Sequence, residues 1–239
     1  MRHTFIFLAA LMVCTTVFAQ EPLIFKENMP NAVYFLPPPP DTASAAFLYD
    51  KAQYRWGLEQ RDNTQQRAIA VGDAVWSVDN ICKILSPAFG ITISPQTTPA
   101  IYKMLAVSVM TTDQAGKLPK EHYLRTRPYV FFNQPTIVPG DEGVLRDNGS
   151  YPSGHTILGW SAALLLCEVN PDSANAILAR GYMYGQSRVI AGYHWQSDVD
   201  AGRLVASAAV ARIHTDKRFL KLMKKARKEY KRKANSSAR

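Results

Sequence analysis

Apolar residues recur at three- and four-residue spacing through most of the chain, and the strict alternation of a half-buried strand is scarce. Asp41 and Thr42 stand where a cap belongs ahead of AAFLYDKAQYRWGLEQ, and Asp62 or Asn63 does so for a segment ending near Trp76. Thr98 followed by Pro99 pairs a capping residue with proline in the first turn and opens AIYKMLAVSVM. Asn170-Pro171-Asp172 repeats that signature before SANAILARGYMYGQSRVI, and a further helix is expected from Gln196 through ARIHT. The run ILGWSAALLL after Ser153 reads as a buried helix. YVFF has strand-like composition, but Pro128 and Pro135 border it in a polar loop over 129–152. Helix after helix with short connections, and no internal repeat, predicts an all-α single-domain bundle.

The two ends depart from this pattern. Arg2 and His3, the apolar stretch Phe5 to Val13 and the small-residue site before Gln20 predict a signal peptide over 1–19. That apolar stretch is too short for a membrane span, and no later segment reaches spanning length. Val13 ahead of Cys14 argues against a lipid anchor. The expectation is a periplasmic or secreted bacterial protein, with its domain over 20–216.

At the other end, 217–239 is a basic amphipathic extension with Phe219, Leu222, Met223, Ala226 and Tyr230 at helical spacing. It holds eleven Lys/Arg against one acid, Glu229, so the chain's formal +9 belongs to the tail and the body is near neutral. Two roles are open for the tail. Its apolar stripe docks on the body, or the helix contacts an anionic surface such as lipid head groups, lipopolysaccharide or nucleic acid. No specific nucleic-acid partner is expected. Beyond Cys14, Cys82 and Cys167 allow either one disulfide or two buried thiols. With no CxxC, HExxH or carboxylate run, no metal site and no cofactor are expected.

Candidate chemistry sits in three clusters. In KEHYLRTRP, Lys120 and Arg127 lie seven apart, two turns of a helix, with Pro128 ending it; the pair is a solvated stripe or an anion clamp. In GSYPSGHT, Ser153 can cap the next helix, whose first amides and dipole favour an anion. Gly154 removes the side chain that would keep a phosphate away, and His155 falls in the first turn. In SRVIAGYHWQSD, Asp198 four residues after His194 can fix one ring nitrogen and free the other as a nucleophile. Arg188 there offers a planar fork for two phosphate oxygens. Three cations, a helix N-terminus and two histidines match what phosphoryl transfer without a metal requires. Trp56, Trp76, Trp160 and Trp195 read as core residues, with Trp195 a candidate pocket wall, and His122 as a surface or supporting histidine.

KxxxxxxRP (Lys120–Pro128), PSGH (Pro152–His155) and SRxxxxxHxxxD (Ser187–Asp198), in this order, resemble the signature of the type 2 phosphatidic acid phosphatase superfamily, which vanadium haloperoxidases share. The fuller GSYPSGHT, the FLPPPP lead-in and HWQSDVDAGR resemble the class A bacterial non-specific acid phosphatases, from about Leu36 to about Ala211. The resemblance implies an exported, homodimeric all-α acid phosphatase acting on small phosphomonoesters. In it His194 would become a phosphohistidine, Asp198 would orient it and His155 would protonate the leaving group. Lys120, Arg127, Arg188, Ser153 and Gly154 would bind the phosphate. The basic tail departs from the family pattern. A haloperoxidase holding vanadate, a lipid-phosphate phosphatase and a non-catalytic phosphate-binding module are the competing readings.

Overall fold

The computed structural model describes residues 21–237, so the expected signal peptide lies outside the described residues. The described residues form helices and short 3-10 turns, with no strand among them. In chain order the helices are α1 (Ala45–Glu59), α2 (Thr64–Gly72), α3 (Val78–Phe89), α4 (Pro99–Asp113), α5 (Lys117–Tyr123) and α6 (Pro128–Phe131). There follow α7 (Glu142–Leu145), α8 (Gly154–Val169), α9 (Ala174–Ala191), α10 (Gln196–Ile213) and α11 (Lys217–Ser237). The fold class is all-α, as the periodicity predicts.

Helix α8 is the centre because it is apolar all round: Ile157, Leu158, Ala162, Ala163, Leu165 and Leu166 are all buried. α4, α9 and α10 pack around it, and their inward residues join one continuous core. The closest approach is at Gly159, where any Cβ would stand 2.3 Å from the Tyr184 ring of α9. A smaller aromatic cluster of Phe47, Tyr54, Trp195 and Phe132 fixes α1 against the start of α10. Trp195 is therefore core, only 1 % exposed, and does not line the cavity at His194.

Local capping departs from expectation at several points. Ser44 caps α1 by accepting the Phe47 N–H at 3.2 Å, while Asp41 accepts from Ala43 and closes the preceding turn. Asn63 caps α2, which stops at Gly72, short of Trp76. YVFF is not extended: Pro128 takes the first position of the helical turn α6, and α7 also forms within the expected loop. Cys82 and Cys167 are both free, and burial pushes the Cys82 thiol up to about 12.

Thr98 does not cap α4, because its hydroxyl is used in the preceding turn, donating to the Thr92 carbonyl and accepting from Ser94. The cap comes from the other end of the chain. Glu229, the tail's single acid, is buried and accepts the Ala100 and Ile101 N–H groups, each at 2.9 Å. Phe219, Met223 and Ala226 of α11 join the main core. The basic helix thus docks by its apolar stripe, and Lys221, Lys224, Lys225 and Lys228 stay exposed. Glu229→Ala should cost about 2 kcal/mol, from two charge-assisted bonds at a helix N-terminus. In a domain this size that is a drop of roughly 4–8 °C in melting temperature, readable by calorimetry. An unchanged Tm would mean that water caps α4 equally well.

Candidate active site

The three clusters meet at one end of the bundle, around a cavity of about 660 Å³. Lys120, Arg127, Gly154, His155, Arg188 and His194 line it together with Trp76, Met110, Asp113, Lys117, Leu124 and Val144. Each arrives by a distinct local device. α5 ends at Leu124, which adopts the left-handed region at φ 42°. Lys120 and Arg127 therefore do not share one helix face. Arg127 lies in extended backbone at φ −74°, ψ 151° and approaches from the following loop.

Ser153 caps α8 by accepting the Thr156 N–H at 3.3 Å, and its own N–H donates to the Asp198 carbonyl at 2.9 Å. It is fully buried, directly before Gly154 and His155 of the cavity lining. The Tyr151–Pro152 peptide before it is cis, and the Tyr151 hydroxyl donates to the Pro37 carbonyl of the proline-rich lead-in. A Cβ at Gly154 would meet Trp76 at 3.4 Å and an Asp113 oxygen at 3.5 Å, so the glycine keeps that wall open.

His194 is delivered by the end of α9. Gly192, at φ 87°, makes the left-handed C-cap that only glycine adopts without cost, and the next two N–H groups fold back onto the Arg188 carbonyl. His194 consequently precedes α10 rather than standing on it. Asp198, in the first turn, reaches back to accept the Trp195 N–H at 2.9 Å and lies 3.3 Å from Nδ1 of His194. With Nδ1 donating to that carboxylate, Nε2 keeps its lone pair; it faces Nη1 of Arg127 at 3.2 Å. The expected pairing forms, but through a helix cap and not across one helix face.

His155 is held between Trp76, edge-on at 4.7 Å, and Tyr184, near parallel at 6.1 Å. Its Nε2 donates to the Ala74 carbonyl at 3.0 Å, which leaves Nδ1 as the nitrogen able to exchange a proton. Trp76 is 42 % exposed and forms an outer wall of the cavity, a role its sequence context did not announce. His122 is exposed and lies outside the cavity lining.

The electrostatics are those of an anion site. Burial, then the Arg188 charge, pushes His155 well below the usual histidine range; burial, then Arg127 and Lys120, does the same to His194. Burial and the neighbouring Arg127 bring Lys120 down to about 7. Arg188 is fully buried over the Tyr193 ring, 4.5 Å away. None of its three side-chain nitrogens has a hydrogen-bond partner among the described residues. A buried guanidinium left so is costly, and an oxyanion supplies what it lacks.

An anion bound here raises the proton affinity of Lys120 and His155, so binding takes up protons. Affinity must then rise as pH falls through 7 and into the histidine range. Sulfate, doubly charged throughout, should bind about fourfold tighter at pH 5.5 than at 7.5 by calorimetry through Lys120 alone, and more where His155 also gains its proton. Affinity independent of pH, or weaker in acid, would contradict this electrostatic reading.

A PAP2 superfamily model matches residues 101–220. The chain is 42 % identical over 238 residues to a non-specific acid phosphatase of Providencia stuartii, covering 94 % of this chain and 96 % of that one. It is 44 % identical over 210 residues to a non-specific acid phosphatase of Salmonella typhimurium (87 % and 84 % covered). An acid phosphatase of Zymomonas mobilis is 37 % identical over 209 residues (87 % and 78 % covered).

Proposed function

The chain belongs to the PAP2 superfamily, and from that membership we propose that it is an exported acid phosphatase hydrolysing small phosphate monoesters through a phosphohistidine on His194. The observation that carries this is the fully buried Arg188 fork, without a hydrogen-bond partner among the described residues, in a cavity that His194, Lys117, Lys120 and Arg127 also line.

Lys120, Arg127 and Arg188 hold the three non-bridging phosphate oxygens. The α8 N-terminus adds the Gly154 amide and the Ser153 hydroxyl, which accepts from Thr156 and so keeps its own proton to donate. His194 Nε2 attacks phosphorus. The P–N bond forms as the ester P–O bond breaks, and His155 Nδ1 gives its proton to the departing alkoxide. Water then attacks the phosphohistidine while His155 takes its proton, which releases phosphate and restores both rings. The dianion offsets the Arg188 charge and so lets His155 hold a proton in the complex, which favours turnover on the acid side. With three protein cations neutralising the phosphoryl oxygens, the reaction is expected to proceed without a metal.

The test is hydrolysis of a chromogenic phosphate monoester at pH 5 to 7, with and without a chelator. Chelator-sensitive activity restored by a divalent metal would overturn the metal-free route. His155→Ala should cost about 10²-fold or more on alkyl phosphates and far less on nitrophenyl phosphate, whose leaving group needs no proton. Equal losses on both would remove His155 from the proton-donor role.

Periplasmic or secreted location rests on the 1–19 segment, and among the described residues no helix is long and apolar enough to cross a membrane. A homodimer, and contact of the exposed α11 lysines with an anionic surface, complete the reading. Light-scattering mass decides the first. Salt-sensitive co-sedimentation with anionic vesicles decides the second.

A further inference from the structure

Behind His194 lies a buried polar network that the phosphate cradle does not use. Arg125, in the loop between α5 and α6, is nearly buried, its side chain 8 % exposed. Its Nη1 donates to Asp198 Oδ1 at 2.5 Å and to Ser197 Oγ at 2.8 Å; its Nη2 donates to Asp50 Oδ2 at 2.7 Å. Asp50, fully buried on α1, also accepts the Ser197 N–H at 2.9 Å and the Ser197 hydroxyl at 2.6 Å. The Arg125 carbonyl receives the Ser150 N–H at 2.9 Å, and the guanidinium lies 5.4 Å over the Trp195 ring. α1, the α5–α6 loop, the Ser150 loop and the first turn of α10 are thus tied at one fork.

The consequence falls on Asp198. Its Oδ2 accepts from Trp195 and is the neighbour of His194 Nδ1, so its orientation decides which nitrogen of His194 carries the proton. A carboxylate held through Oδ2 alone can swing about that contact. The second hold, on Oδ1, comes from Arg125, and the placement of Arg125 comes from Asp50. The geometry points to Arg125 as a positioning residue for the reaction: clamped by Asp50, it locks Asp198 so that His194 stays in the Nδ1–H form with Nε2 aimed into the cavity. Arg125 does not line that cavity. The role belongs with other outer partners that orient a reacting histidine. It rests on His194 being the nucleophile.

The experiment compares the intact protein with Arg125→Gln, Arg125→Lys and Asp50→Asn by three readouts. These are kcat on a chromogenic phosphate monoester, sulfate affinity, and the His194 tautomer from nitrogen-15 histidine spectra of the resting protein. Arg125→Gln is expected to lower kcat about 10- to 100-fold and move part of His194 to the Nε2–H form, with sulfate affinity held within about threefold. Arg125→Lys keeps a charge but cannot bridge both carboxylates, and Asp50→Asn frees the far end of the fork; each should lose about three- to tenfold with the same tautomer drift. These two carry the test if Arg125→Gln does not fold. Folded variants with unchanged kcat and tautomer would overturn the proposal. So would parallel losses of kcat, sulfate affinity and Tm, which mark general support of the fold. Turnover surviving in His194→Ala would instead refute the phosphohistidine reading, while the resting tautomer would still report on Arg125.

Discussion

His194→Ala is expected to abolish hydrolysis of phosphate monoesters, a loss on the order of 10⁶-fold in kcat by comparison with nucleophile removal in other covalent hydrolases. The ring is 3 % exposed, and Asp198 and Arg127 flank its two nitrogens. Burial beside Arg127 and Lys120 holds it well below the usual histidine range, so it is the neutral ring that attack requires. Alanine removes the attacking atom but keeps Lys120, Arg127 and Arg188, so sulfate should still bind. Mixing the wild type with labelled substrate and quenching in base should trap an acid-labile phosphohistidine that the variant lacks. Residual turnover above about 1 % of wild type, far beyond what a nucleophile knockout leaves, would place the nucleophile elsewhere.

How far the sequence reveals such a site depends on the distance over which its parts cooperate. His155 beside its cap and Asp198 four residues from His194 are local arrangements, legible because a helix terminus dictates what stands near it. The helices of the bundle were legible for the same reason, from Asn63 before α2 to Pro99 at the start of α4. Long-range partners were not. Arg125 sits inside KEHYLRTRP, yet Asp50 and Asp198 lie 75 and 73 residues away, and nothing near Arg125 marks it. Glu229 looked like one acid lost among tail cations, because its target amides lie 128 and 129 residues earlier. The expected shared face of Lys120 and Arg127 failed on one residue, Leu124, whose left-handed backbone breaks the helix between them. Trp76 reads as core because tryptophans usually are, and nothing in the residues around it shows that it stays partly uncovered at the cavity.

Arg188→Ala should divide activity from stability. Arg188 is a costly cation for the ligand-free fold: fully buried in the last turns of α9, with burial bringing its guanidinium down to about 10 and its three nitrogens unpartnered among the described residues. Its neighbour Ser187 donates to Asp73 at 2.6 Å, so the backbone is anchored independently of the guanidinium. On the proposed mechanism this fork, itself fully buried, faces the phosphoryl charge that spreads in the transition state. Its loss should cost about 3 kcal/mol, or 10²- to 10³-fold in kcat/KM, as for single oxyanion-hole donors. Arg188→Lys keeps the charge but not the planar pair of donors, and should recover only part of that. The ligand-free protein should respond in the opposite sense. Removing an unpaired buried charge relieves its desolvation cost, so the melting temperature should hold or rise, and the stabilisation that sulfate confers should shrink. A binding cation costs the empty fold what it returns to the complex; a structural one stabilises both. An Arg188→Ala protein with a lower melting temperature and wild-type kcat/KM would show the second, and would take the phosphate out of this fork.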